Sequence, residues 1–406
     1  MKLWQKIGVV IIAIPLLLIL IGILFPKPSD KSKSISQRIT SLFSRVSGSS
    51  EPSCGTNMQL LSYSPINLNE ISTVVPLGNI SPPGHILPTT HMYYRYIHTG
   101  QGSKLTNIYA PADMTITKIT LSDNGSAMVP FDSYKIEFSL CREVKGYFIL
   151  VTTLSDKLKT AFHEPYDRVQ TSNVGTGKPD HNYEKEVSVK VSSGEIIGTG
   201  GGGPNMPDAL DFGLTDTRTA LPMLANPSRW PDTDQHYVCS ADYYPDNIKQ
   251  SIYSKFGNFD GNLVSIDQPM CGAVYQDVVG SAQGVWVSSK STSTDLWDVP
   301  NDLALVHSNF NHKLGVFSFG NIFQQIGISN NLVYTFTPQT SGNVNLDFNN
   351  VKDGNIYCYQ AANAQGQNIA VIIQLQDNNH LKIGNLNTSS CGSGPWSFSS
   401  SLDFIR

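Results

Sequence analysis

Six cysteines and nine histidines carry much of the reactive chemistry available to this chain of 406 residues. The cysteines are Cys54, Cys141, Cys239, Cys271, Cys358 and Cys391, and none stands in a C-x-x-C metal or redox spacing. Scattered cysteines in even number, behind a membrane-targeting start, read as disulfides formed in an oxidising compartment. Nearness along the chain suggests Cys239–Cys271 and Cys358–Cys391, which leaves Cys54 for Cys141. The ligand-type residues His85, His91, His98, Asp113 and His163 gather in one stretch, but their spacing alone fixes no metal site. Beyond residue 218 there is no G-x-S-x-G nucleophile elbow, no H-E-x-x-H and no EF-hand loop. The run GTGGGGPN at 198–205 lacks the Lys-Ser/Thr pair of a phosphate loop and is read as a hairpin connection. Trp286, Trp297, Tyr334, Phe336 and Trp396 have the chemistry to stack on sugars, although aromatics spaced like this more often fill a core.

The elements that must hold these residues are mostly strands. Short segments such as YRYIH, TITKITL, YKIEFSL, GYFILVTTL and VSVKV are rich in β-branched and aromatic residues and are bounded by Gly, Pro, Asn and Asp. Only residues 247–256 (NIKQSIYSKF) read as a helix, with Asp246 as N-cap and Gly257 as stop. Residues 7–25 hold 19 positions without a charge, long enough to span a bilayer and longer than a signal-peptide core. The expected organisation is a transmembrane anchor over 1–26, a Ser/Lys-rich stalk over 27–57, a β domain over 58–218 and a C-terminal β region over 219–406. A break marked by Pro222, Pro227 and Pro231 separates the last two, and a weaker one falls near 340. Lysines and arginines after the anchor would place the bulk inside by charge counting, but the cysteines place it outside the cytoplasm. A net charge of −4 with only 15% charged residues excludes the basic footprint of a nucleic-acid binder and the composition of a disordered chain.

Three pieces follow one another between residues 85 and 214: His91 in PTTHMYYRY, the hairpin NIYAPADMTITKI, and VKVSSGEIIGTGGGGPNMPDALDFGL. Together they resemble the lysostaphin-type zinc endopeptidases of bacterial cell walls over about residues 80–218. The resemblance implies a duplicated-hybrid-motif, barrel-sandwich-like β domain. In that family an H-x-x-x-D pattern supplies two zinc ligands, and a later H-x-H strand supplies a catalytic base and a third ligand. Here the first pattern reads His91 then Arg95, and the second reads Ala209 then Asp211. The resemblance therefore leaves only His91 and Asp211 as metal positions. Catalytic zinc needs three protein ligands and an open place for water, and without a base that water has no proton acceptor. An ion pair between Arg95 and Asp211 would fill the vacated place. The expectation is a chain without a catalytic residue or cofactor. It would be held at the cell membrane by a single span and bind envelope glycan or peptide through the old groove. The rival is an active zinc hydrolase in which His85 or His98 joins His91 and Asp211. A purely structural surface module is the third reading.

Overall fold

A computed structural model describes residues 51–123, 131–172, 180–261, 269–290, 301–329 and 332–406. The expected anchor and nearly all of the stalk lie outside these residues, as does Trp297, and among the described residues no helix is long and apolar enough to cross a membrane. Every element below lies in one compact unit, Thr56–Arg406. It is mainly β, as expected.

The larger sheet is antiparallel throughout. Its strands run in the order Ile71–Val75, Met92–Tyr96, Ala209–Asp216, Val144–Val151, Ser133–Ser139, Met114–Asp123, Asp180–Val191 and Arg168–Ser172, and the short Tyr237–Val238 also pairs with Ala209–Asp216. Outer strands such as Asp180–Val191 alternate half-buried and exposed residues toward their C-terminal end, the mark of a sheet with one wet face. The central strand ALDFGLTD is buried at seven of its eight positions. Phe212 packs its ring 4.8 Å from that of Phe148, which lies 5.2 Å from Phe138, so three neighbouring strands share one aromatic layer.

A smaller sheet joins Thr106–Tyr109, Ile196–Gly200 and Thr153–Leu154. The glycine run begins in this sheet. A side chain at Gly200 would collide with the Tyr96 hydroxyl, and Gly201, Gly202 and Gly203 all take positive φ. Close backbone approach, rather than phosphate binding, explains the composition. The expected helix forms at Asp246–Tyr253, starting one residue earlier than read and ending three residues earlier, with Ser254 and not Gly257 at its C-cap. Pro245 takes the cap position and Asp246 opens the first turn, because the fixed φ of Pro245 suits a helix entrance. A second helix, Asp156–Ala161, is too short to show an apolar period and was not expected.

From Gly284 onward the chain closes an eight-stranded barrel: Gly284–Ser288, Leu303–His307, Gly315–Phe319, Leu332–Phe336, Ile356–Ala362, Asn368–Asp377, His380–Asn385 and Leu402–Ile405. The stretch near 340 falls inside this barrel, in the connection between its fourth and fifth strands. The interior is a packed core that includes Trp286, Phe317, Phe319, Phe323, Tyr334, Phe336 and Tyr359. Arg406 closes one rim by donating to the carbonyls of Asn378, Gln283 and Ser281, with its guanidinium over the Trp286 ring.

The disulfides Cys239–Cys271 and Cys358–Cys391 form as expected, and none of the described cysteines is free. Replacing Cys358 and Cys391 together by alanine is expected to cost about 4 kcal/mol, the loop-entropy value for a closure of this size. Urea denaturation of the double variant checks this, with an unchanged midpoint as the contrary result.

Candidate functional site

Strand register builds the site. Ala209 lies opposite Arg95, and Asp211 lies opposite Tyr93. Because side chains alternate along a strand, Tyr93, Arg95, Ala209 and Asp211 share one face of the sheet, with His91 just ahead of the first strand on the same side. The structure thus brings His91 and Asp211 together: Nε2 of His91 stands 3.4 Å from Oδ2 of Asp211. Both residues are only 6% exposed. Neither His91 Nε2 nor Asp211 Oδ1 makes a hydrogen bond. On the other edge of the ring, His91 Nδ1 is 3.4 Å from the Tyr147 hydroxyl, which lies 2.9 Å from Thr90 Oγ1. The rings of Tyr93 and His85 meet His91 edge-on at 4.8 and 5.4 Å between centroids.

The separation of His91 and Asp211 is that of an ion pair, but burial disfavours both charges. Desolvation, helped by His85 and Lys135, pushes the imidazole down to about 3. Desolvation, helped by Asp208, pushes the Asp211 carboxyl well above its usual range. At neutral pH the imidazole is uncharged, and the carboxyl beside it is held toward its protonated form, because an isolated charge in this setting would lose its hydration without full repayment.

Arg95 does not pair with Asp211. Its guanidinium binds Asp208 at 2.7 Å and donates to the Phe259 carbonyl. Asp208 keeps nearly half of its side-chain surface in water, so its charge is the cheaper one to retain beside Arg95. Ala209 is 1% exposed and packs with Val75 and Tyr93 beneath Phe259 and Phe310. Phe310 comes from the barrel, on the loop between Leu303–His307 and Gly315–Phe319, and the adjacent Asn309 donates to the Pro76 carbonyl. The barrel therefore covers the Ala209 end of the site.

The remaining histidines do not complete a metal centre. His98 lies 3.8 Å from Asp208, and His163 bonds to the neighbouring Glu164 carbonyl. Asp113 accepts from the Ser193 amide. His85 touches His91 ring to edge. Among the described residues no third ligand atom comes close enough to those of His91 and Asp211 to make a three-point site. The two orphaned polar atoms of the pair could each face a cation, but the set does not fit catalytic zinc, which requires three ligands and a nearby base.

Beside the pair two adjoining cavities of 360 and 410 Å³ follow the sheet. They share Lys135, Tyr147, Asp234 and Tyr237, with His91 at one end and Glu137 toward the other. Tyr237 and Asp234 reach this wall from the segment after Pro231 and bond to each other at 3.1 Å. The sequence carried no signal for them, since the Pro-rich segment reads only as a boundary. No family model and no curated protein matches this chain.

Proposed function

We propose that this chain is a membrane-tethered, extracytoplasmic binding or scaffold protein of the cell envelope. In this reading residues 58–218 form a lysostaphin-like domain of the duplicated-hybrid-motif kind that no longer performs zinc chemistry. The observation that carries it is the occupied site: His91 and Asp211 are turned on each other, Arg95 is spent on Asp208, and Ala209 lies under Phe310. The place that holds the base in that family is taken by Ala209, buried against Phe310. What stays open is the groove along Tyr147 and Tyr237. Its mixed charges, Lys118, Lys135 and Lys145 against Glu137 and Asp234, suit a polar peptide or glycan better than an apolar ligand. Residues 7–25 supply the tether.

The reading is tested by incubating the full-length protein with purified peptidoglycan. It should co-sediment with the polymer and release no soluble fragments, and His91→Ala should sediment as wild type does. Fragment release abolished by a chelator and by His91→Ala would establish the hydrolase instead. Failure to sediment would leave a structural surface module.

A further inference from the structure

We propose that the barrel carries a second, separate binding site for an uncharged glycan chain. A cleft of about 740 Å³ opens beside the Cys358–Cys391 disulfide, walled by Asn343, Val344, Asn355, Ile356, Ser393 and Trp396. It shares no residue with the His91 site, so the two stand or fall apart.

The cleft is held in shape before any ligand arrives. The Trp396 indole N–H donates to the Cys391 carbonyl at 2.6 Å, and the Cys391 amide donates to Gln360 Oε1. On the other side of the same disulfide, the Cys358 amide donates to the Asn343 carbonyl. Trp396 also packs against the apolar cluster of Cys358, Ala370, Ile372 and Cys391. An aromatic ring fixed in this way loses little freedom when a ligand stacks on it. At the rim, a side chain at Gly342 or Gly392 would meet nothing within 4 Å, which leaves the backbone there open to a close-lying chain.

The chemistry of the wall selects the ligand. No charged side chain lines it, so an anionic or cationic group would find no counter-charge. Nucleic acid would need basic residues. An extended peptide would look for a free strand edge to pair with, and the barrel is closed. An indole flanked by carboxamides and a hydroxyl offers a face for sugar C–H groups together with donors and acceptors for ring hydroxyls.

The test titrates the full-length protein with cellotetraose and with tetra-N-acetylchitotetraose, read by saturation-transfer NMR and calorimetry. At least one should bind in the low-millimolar range or tighter. Trp396→Ala should weaken that binding by about tenfold, the upper worth of one stacking contact. Trp396→Phe should keep part of it. Asn343→Ala, at an exposed position, should weaken it about fivefold without disturbing the fold, and it decides the matter if Trp396→Ala fails to fold. Absence of binding to both oligosaccharides, or binding unchanged in Trp396→Ala and Asn343→Ala, would overturn the proposal.

Discussion

Phe317→Ala is expected to destabilise the protein by about 3–5 kcal/mol, the usual cost of truncating a buried phenylalanine. Phe317 is fully buried, and its ring lies 5.0–5.7 Å from those of Phe319, Phe336, Phe348 and Tyr359. Phe336 and Tyr359 come from two further barrel strands, Leu332–Phe336 and Ile356–Ala362, and Phe348 from the connection between them. Collapse into the hole would therefore require several elements to move at once. Phe317→Leu keeps most of the volume and should cost less than half as much. The hairpin that carries Phe317 also carries Phe310, so loosening it should uncover Ala209 as well. Urea denaturation followed by near-ultraviolet circular dichroism gives the value. A loss below about 1 kcal/mol would mean that this aromatic cluster is not a close-packed core.

The second large effect is on pH dependence. Asp211 keeps its proton in the fold at pH values where the unfolded chain, with a value near 3.8, has lost it. Stability is therefore lost as pH rises toward the raised folded value. His91 works in the opposite direction: it stays neutral in the fold down to about 3, while the unfolded imidazole takes a proton below 6.5. Its contribution is lost as pH falls through that window. From about 4 up to 6.5 or to the raised Asp211 value, whichever is lower, the two effects cancel, because each state holds one proton across the pair, on the carboxyl when folded and on the imidazole when unfolded. Above 6.5 the unfolded pair holds no proton, so wild-type stability should fall, with a slope of at most about 1.4 kcal/mol per pH unit, until pH passes the raised Asp211 value. Asp211→Asn removes that alkaline fall and uncovers the acid-side fall of His91, with a slope of about the same size below 6.5. Unfolding free energies at unit steps from pH 4 to 9 test both arms. A wild-type profile that rises up to pH 6.5 and then stays level to pH 9 would show Asp211 ionised in the fold.

Strand content, two of the disulfide pairs and the helix after Pro245 were legible because each leaves a local mark. The strands show as β-branched runs, the pairs as cysteines close in sequence, and the helix as a stretch of helical residues between breakers. The juxtaposition of His91 with Asp211 was legible only through the motif order, since 120 residues separate them. Three things were not legible. The partner of Arg95 depends on Asp208 being solvated while Asp211 is buried, and burial is a property of the assembled sheet. The closed barrel was hidden because the weak break near 340 suggested a division of the C-terminal β region, whereas it is a connection between two barrel strands. The cover over Ala209 comes from Phe310, and nothing in its local sequence SNFNH marks a contact with residues about 100 positions earlier.

The central claim is that this site has exchanged metal chemistry for an internal His–Asp contact. Its most direct test is the zinc content of the purified full-length protein after dialysis against zinc-containing buffer and then metal-free buffer. The account predicts well under one zinc per chain, unchanged by His91→Ala or Asp211→Ala. One tightly held zinc per chain, lost in both variants, would contradict it.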